Sequence, residues 1–311
     1  MLGNSWFIKQ RPLLSMLGMG GGAGGALGQG GGGGVAATGG NQTPGAGLAP
    51  GNGYKYHTFT STGPSPFNVS AEGNVELFLI GAGGGASNGG GGAGALIYKT
   101  SIPVGAQNYT ITVGGGGQQT APNVNFSGPP GPYPQMEGGP SNALGYTADG
   151  GGHGGVHNQN GYNGDPGGCG GGGAPRNGGG GGNPGGANGD PGGTPGAASP
   201  NSGWGNAGGH AGAANPGEWG GGGGGTGAVG AQTPGQGGGG LSYPAFAGPL
   251  IGEPSLPGTW GVGGPKTSNT GTSFPNNQRN NGTGNGGGHN AGGPNPTYYG
   301  SNGICIIRYP E

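Results

Sequence analysis

Between residues 54 and 113, apolar and polar positions alternate with a period of two in several short runs. Residues 54–61 (YKYHTFTS) put Tyr54, Tyr56, Thr58 and Thr60 on one face and His57 and Phe59 on the other. Residues 65–71 (SPFNVSA) form a second run, with Pro66 placing it at a strand start or a sheet edge. The most apolar run is 74–80 (NVELFLI), followed by 94–104 (GALIYKTSIPV) and 108–113 (NYTITV), with a short piece at 124–126. Such β-branched and aromatic runs between turn residues predict strands. One more run, 304–309 (ICIIRY), stands at the far end of the chain. Its apolar content demands burial, and the early strands offer the only evident core. It is therefore expected to return and close that domain. No helical periodicity appears beyond residue 17.

The long interval before that last run is dominated by glycine. Glycine supplies 99 of the 311 residues and proline 29, with 28% hydrophobic and 5% charged residues. A glycine loses more conformational freedom on ordering than any other residue and has no side chain to bury in return. Such a tract either stays disordered or packs backbone against backbone as polyglycine II rods. These are extended helices of three residues per turn whose N–H and C=O groups point sideways to neighbouring rods. Disordered chains usually carry high net charge; this one carries −1. Collagen is excluded, because the period of three at Gly186, Gly189 and Gly192 breaks at Pro195.

Punctuation supports rods. X-Pro-Gly steps at 165–167, 183–185, 190–192, 215–217 and 233–235 match type II turns. Pro166, Pro175 and Pro184 are spaced by nine residues. The run 220–225 would span about 19 Å at ~3.1 Å per residue. The expected fold class is all-β: a small antiparallel sandwich (54–126 plus 303–311) with a long polyglycine II-type insertion (127–302). Residues 18–53 are expected to be a glycine-rich tether. Residues 241–264, with four prolines, predict an irregular cap or tip.

Residues 1–17 (MLGNSWFIKQRPLLSML) gather Trp6, Phe7, Ile8, Leu13 and Leu14. The aromatics precede Lys9 and Arg11, the reverse of a signal peptide. The segment reads as one that docks on a partner chain.

Chemistry is sparse. Residues 81–86 (GAGGGA) fit a dinucleotide fingerprint, but a strand follows where a helix is needed. No P-loop lysine is present. His57, His153, His157, His210 and His289 lack metal-site spacing, and no nucleophile sits in a recognisable elbow. The reading is no enzyme, no cofactor and no metal. Neutral charge leaves no nucleic-acid footprint, and no apolar run is long enough for a membrane span. Cys169 and Cys305 are expected as free thiols. Tyr133, Tyr162, Trp204, Trp219 and Trp260 lie near Pro and Asn turns. They are candidate surface contacts for sugars or proteins, or covers for the rod ends.

The ordered blocks YHTFTSTG (56–63), VELFLIGAGGG (75–85), GAGALIYKT (92–100), NYTITVGGGG (108–117) and GICIIRYP (303–310), with the glycine tract between the last two, resemble a known group. The layout is similar to that of glycine-rich virion proteins of tailed bacteriophages, common in marine phages. The tract alone also resembles the rod bundles of phage tail-fibre-tip adhesins and of snow-flea-type antifreeze proteins. The resemblance implies a non-enzymatic virion component on the particle surface, tail-associated or adhesive. It also implies other virion proteins as partners, a host surface receptor and a homo-oligomer, with a trimer favoured. A capsid decoration protein and an ice-binding protein are the alternatives.

Overall fold

The computed structural model describes residues 34–41, 45–118, 136–156, 166–174, 183, 185–212, 220–232, 235–256, 258–267, 282–290 and 299–311. Thirteen strands occur in them: β1 (Ala36–Gly39), β2 (Tyr54–Phe59), β3 (Gly63–Ala71), β4 (Gly73–Ile80), β5 (Leu96–Val104), β6 (Asn108–Val113), β7 (Ser141–Ala143), β8 (Tyr146–Ala148), β9 (Leu241–Ser242), β10 (Thr259–Trp260), β11 (Lys266–Thr267), β12 (His289–Asn290) and β13 (Ile304–Pro310). The only helical elements among the described residues are two 3-10 turns, Pro244–Phe246 and Gly248–Ile251. The protein is all-β, as its periodicity indicates.

Two antiparallel sheets form the sandwich. One has the order β1-β3-β6-β7-β8, the other β2-β13-β4-β5. The last strand thus sits in the middle of its sheet. Its Ile306 lies opposite Thr58 of β2 and Phe78 of β4. The expected return of 304–309 is what the fold shows. Phe59, Phe67, Val75, Leu77, Leu79, Ile111, Val113, Cys305 and Ile307 fill the space between the sheets.

The other face of the β2-β13-β4-β5 sheet is also buried. Tyr56, Phe78, Ile80, Leu96, Tyr98, Ile304 and Ile306 meet Leu241, Tyr243, Phe246, Ile251, Leu256 and Trp260 in a second core. This explains why β4 and β13 are nearly continuous apolar runs: a strand covered on both faces has no solvent side to keep polar. The proline-rich segment 241–260 is therefore a cap on this sheet.

Three strands of the two sandwich sheets lie outside the stretch expected to build them. β1 falls in the expected tether and pairs with β3. β7 and β8 fall in the expected insertion and extend the first sheet through β6. They are joined by a two-residue loop with Leu144 at φ 50° and Gly145 at φ 83°, the positive-φ pair of a type I′ hairpin turn. Residues 124–126 lie outside the described residues.

Ile306→Asp places a charge in the second core at a fully buried site. It should lower stability by at least about 3 kcal/mol. Deletion of 303–311 should abolish the cooperative thermal transition, read by near-UV circular dichroism.

Candidate functional site

The described glycine-rich segments, including 81–95 from the stretch expected to be sandwich, form a bundle of extended rods whose hydrogen bonds repeat every third residue. In the rod of residues 89–95, the amides of Gly89, Gly92 and Ala95 donate to Gly155, Gly152 and Asp149. Those of Gly90 and Ala93 donate to Gly221 and Gly224, and those of Gly91 and Gly94 to Gly287 and Gly284. The carbonyls of Gly92 and Ala95 accept from Gly84 and Gly81, those of Gly90 and Ala93 from Gly172 and Cys169, and that of Gly91 from Gly264. All these bonds measure 2.8–3.0 Å. Three residues per turn send successive donors to three different neighbours, the signature of polyglycine II packing.

The rod 89–95 therefore has six neighbours: 81–86, 149–155, 167–174, 220–226, 261–265 and 282–288. These six also bond to one another in a closed ring. Gly151 donates to Ala82, Gly287 to Gly84, Gly286 to Val262, Gly223 to Gly264, Gly224 to Gly170 and Gly152 to Cys169. Further rods bind outside the ring; Gly117 donates to Gly83, Gly138 to Gly151 and Gly238 to Gly223. The sandwich feeds this lattice directly. β4 runs on into the rod 81–86 and β8 into 149–155, while 89–95 runs into β5 and 299–303 into β13.

Steric room explains the glycine. A Cβ on Gly223 would stand 1.8 Å from the Gly91 carbonyl oxygen, one on Gly91 2.1 Å from that of Gly84, and one on Gly222 2.0 Å from that of Gln236. The exclusion is not uniform, however. Ala82, Ala86, Ala93, Ala95, Ala174 and Cys169 are buried within rods, so particular positions accept a small side chain. At Gly186 and Gly239 a Cβ would meet nothing. The Pro-Gly steps divide as well. Gly192 and Gly235 have the positive φ of a type II turn, 84° and 70°. Gly167 and Gly185 instead stay in rods, donating to Gly186 and Gly171.

The cap is polar at one corner. Arg308 of β13 donates from Nη2 to Glu76 at 2.7 Å, and its guanidinium lies 4.3 Å from the Tyr54 ring centre and 4.7 Å from that of Phe246. Tyr98 donates to the same Glu76 oxygen at 2.8 Å. Burial, then the bond to Glu76, pushes the Tyr98 hydroxyl up to about 12. A closing Ile-Arg-Tyr sequence thus has a structural reason: alternate residues serve two cores, and the arginine ties the cap to the sheet.

Of the expected contact aromatics, Trp260 requires correction. It is fully buried in the second core, because the cap folds it inward against Phe78 at 5.0 Å, and it offers nothing to a surface partner. Trp204 is half-buried, its backbone paired with Leu96 beside the same core, so it lies where rod meets sandwich. Tyr133, Tyr162 and Trp219 lie outside the described residues, as do Trp6, Phe7, Ile8, Leu13 and Leu14. The two described candidates, Trp204 and Trp260, both meet the second core rather than a shared surface. The side chains that the sequence reading overlooked are Glu76, Tyr98 and Arg308. The lone charges inside two otherwise apolar strands were the available signal.

Reactive chemistry is correspondingly thin. Among the described residues, no group of three His, Cys, Asp or Glu side chains is placed to hold a metal. No helix there is long and apolar enough to cross a membrane. Cys169 and Cys305 are free and buried. Burial pushes the Cys169 thiol up to about 12 and the Cys305 thiol also upward, which suppresses the thiolate.

A sandwich whose strands continue into a hydrogen-bonded glycine lattice defines the class of protein. The chain belongs to the glycine-rich domain family, whose sequence profile matches residues 57–310. The matched stretch begins on β2 and ends on β13, two strands that lie side by side. No curated protein matches the chain at a significant level.

Gly223→Val should cost about 1–3 kcal/mol for each buried amide or carbonyl it orphans. Gly239→Ala, facing open space without a positive φ, should be neutral or stabilise by up to ~1 kcal/mol. Denaturant melts of the two variants check the contrast; equal effects would contradict it.

Proposed function

We propose that this chain is a non-enzymatic structural component of a tailed-bacteriophage virion, exposed on the particle as a tail-associated or tail-fibre adhesion part. The observation that carries the structural half of this reading is the closed ring of six rods around residues 89–95, fused to the sandwich through β4 and β5. Such a lattice is stiff, nearly uncharged and already hydrogen-bonded internally. It suits a part that holds a shape outside a cell and performs no reaction. Its assignment to a virion rests on the order of the blocks YHTFTSTG, VELFLIGAGGG, NYTITVGGGG and GICIIRYP around the glycine tract, a layout similar to that of phage virion proteins.

In this reading residues 1–17 dock the chain to another virion protein through Trp6, Phe7 and Ile8. Host contact falls to loop aromatics such as Tyr133, Tyr162 and Trp219, and copies of the chain assemble around the particle axis. Capsid decoration is the alternative use of the same scaffold.

Antibody labelling of purified particles, viewed by electron microscopy, tests the reading. Label on the tail or its fibres is expected. Label over the capsid assigns decoration, and particles without the protein contradict the proposal. A variant lacking residues 1–17 should remain folded and soluble but be missing from assembled particles; normal incorporation would remove the docking role.

A further inference from the structure

His57 is fully buried, and its ring ties the edge of one sheet to the middle of the other. It stands on β2. Its Nδ1 donates to the Gly39 carbonyl at the end of β1, 2.9 Å away, and its Nε2 accepts from the Tyr309 hydroxyl of β13, also at 2.9 Å. The two partners fix the neutral tautomer with the proton on Nδ1. Phe67 of β3 meets the ring edge-on at 5.2 Å and Tyr309 stacks at 5.6 Å. Gly47 closes the last side so tightly that a Cβ there would stand 2.8 Å from Nε2. The same short segment is tied down by the amide of Gly39 bonding to Gly45 and that of Leu48 to Tyr56.

We infer that His57 is an acid-opened latch: protonating its imidazole releases β1 and residues 45–48 from the sandwich while the rod bundle stays closed. The groups facing the ring are the Gly39 carbonyl from β1, Lys55 from β2, Phe67 from β3, Tyr309 from β13 and the Gly47 backbone. None of these is a carboxylate, and Lys55 repels an imidazolium. Burial first, then Lys55, holds the imidazole below its usual range, against the Gly39 hydrogen bond. The open form, with its ring in water, takes a proton near the ordinary value of about 6.5. The latch energy is therefore present in full above that pH and declines as pH falls from it toward the lowered value of the closed form, by at most about tenfold in the closed-to-open ratio per pH unit. The lattice has no such dependence, because its bonds join neutral backbone groups. β1 is the first strand among the described residues.

Amide exchange between pH 7.5 and 5.0, corrected for the intrinsic rate, tests the latch. Opening at Gly39 and Leu48 should rise as pH falls below about 6.5 in the native protein, by at most about tenfold per pH unit, while Gly91 and Gly223 do not respond. His57→Gln, which cannot titrate, should remove the slope. The same slope in His57→Gln, or a flat profile in the native protein, overturns the inference. If that variant fails to fold, ring nitrogen shifts of His57 in the native protein decide instead. Charging of the ring must coincide with amide opening; a ring that stays neutral while Gly39 and Leu48 open overturns the latch.

Discussion

A glycine backbone has one donor, one acceptor and nothing else to offer, so a glycine rod is stable only where other rods reach it from all sides. That requirement governs the rest of this protein. The amides of residues 89–95 turn by a third of a revolution at each step and meet three different neighbours in succession. Any residue whose Cβ points at a neighbouring carbonyl must be glycine, as at Gly91 and Gly223. A buried amide left without a partner costs more than its bond contributes, so the lattice holds as a set.

Such a lattice needs a boundary, because rods alone have no sequence-specific register. The sandwich supplies it. β4 and β5 fix where the rods 81–86 and 89–95 begin and end, and β6, β8 and β13 do the same for others. β13 has the widest reach: it bonds to β2 and β4, lines both cores and carries Arg308, which holds the cap. β13 thus locks β2 and β4 together, and the chain between must fold back to allow it.

Much of this was legible in the sequence. Period-two runs located β2 to β6, the apolar run 304–309 required a return to the core, and neutral glycine with Pro-Gly steps pointed to rods. What escaped has physical reasons. β1 is four residues of small side chains inside glycine. β7 and β8 are three residues each, and their turn uses Leu144 at positive φ, where Asn or Gly would have announced it. The second core stayed hidden because Phe246, Ile251, Leu256 and Trp260 are scattered through prolines with no period. Its trace was present elsewhere, in NVELFLI and ICIIRY, which lack the alternation of a strand with one wet face. The candidate aromatics were judged by their closeness to turns, and for Trp260 that cue was misleading: a turn can aim a ring inward as readily as outward.

Scalar couplings across hydrogen bonds test the lattice most directly. In a deuterated, isotope-labelled sample, through-bond transfer should link the Gly91 amide to the Gly287 carbonyl, Gly94 to Gly284, Gly89 to Gly155, Gly92 to Gly152 and Gly90 to Gly221. Links that recur at every third residue with these partners are the predicted result. Glycine amides in residues 89–94 that show no such coupling and exchange at free-chain rates would contradict the rod bundle, and with it the stiff scaffold on which the rest depends.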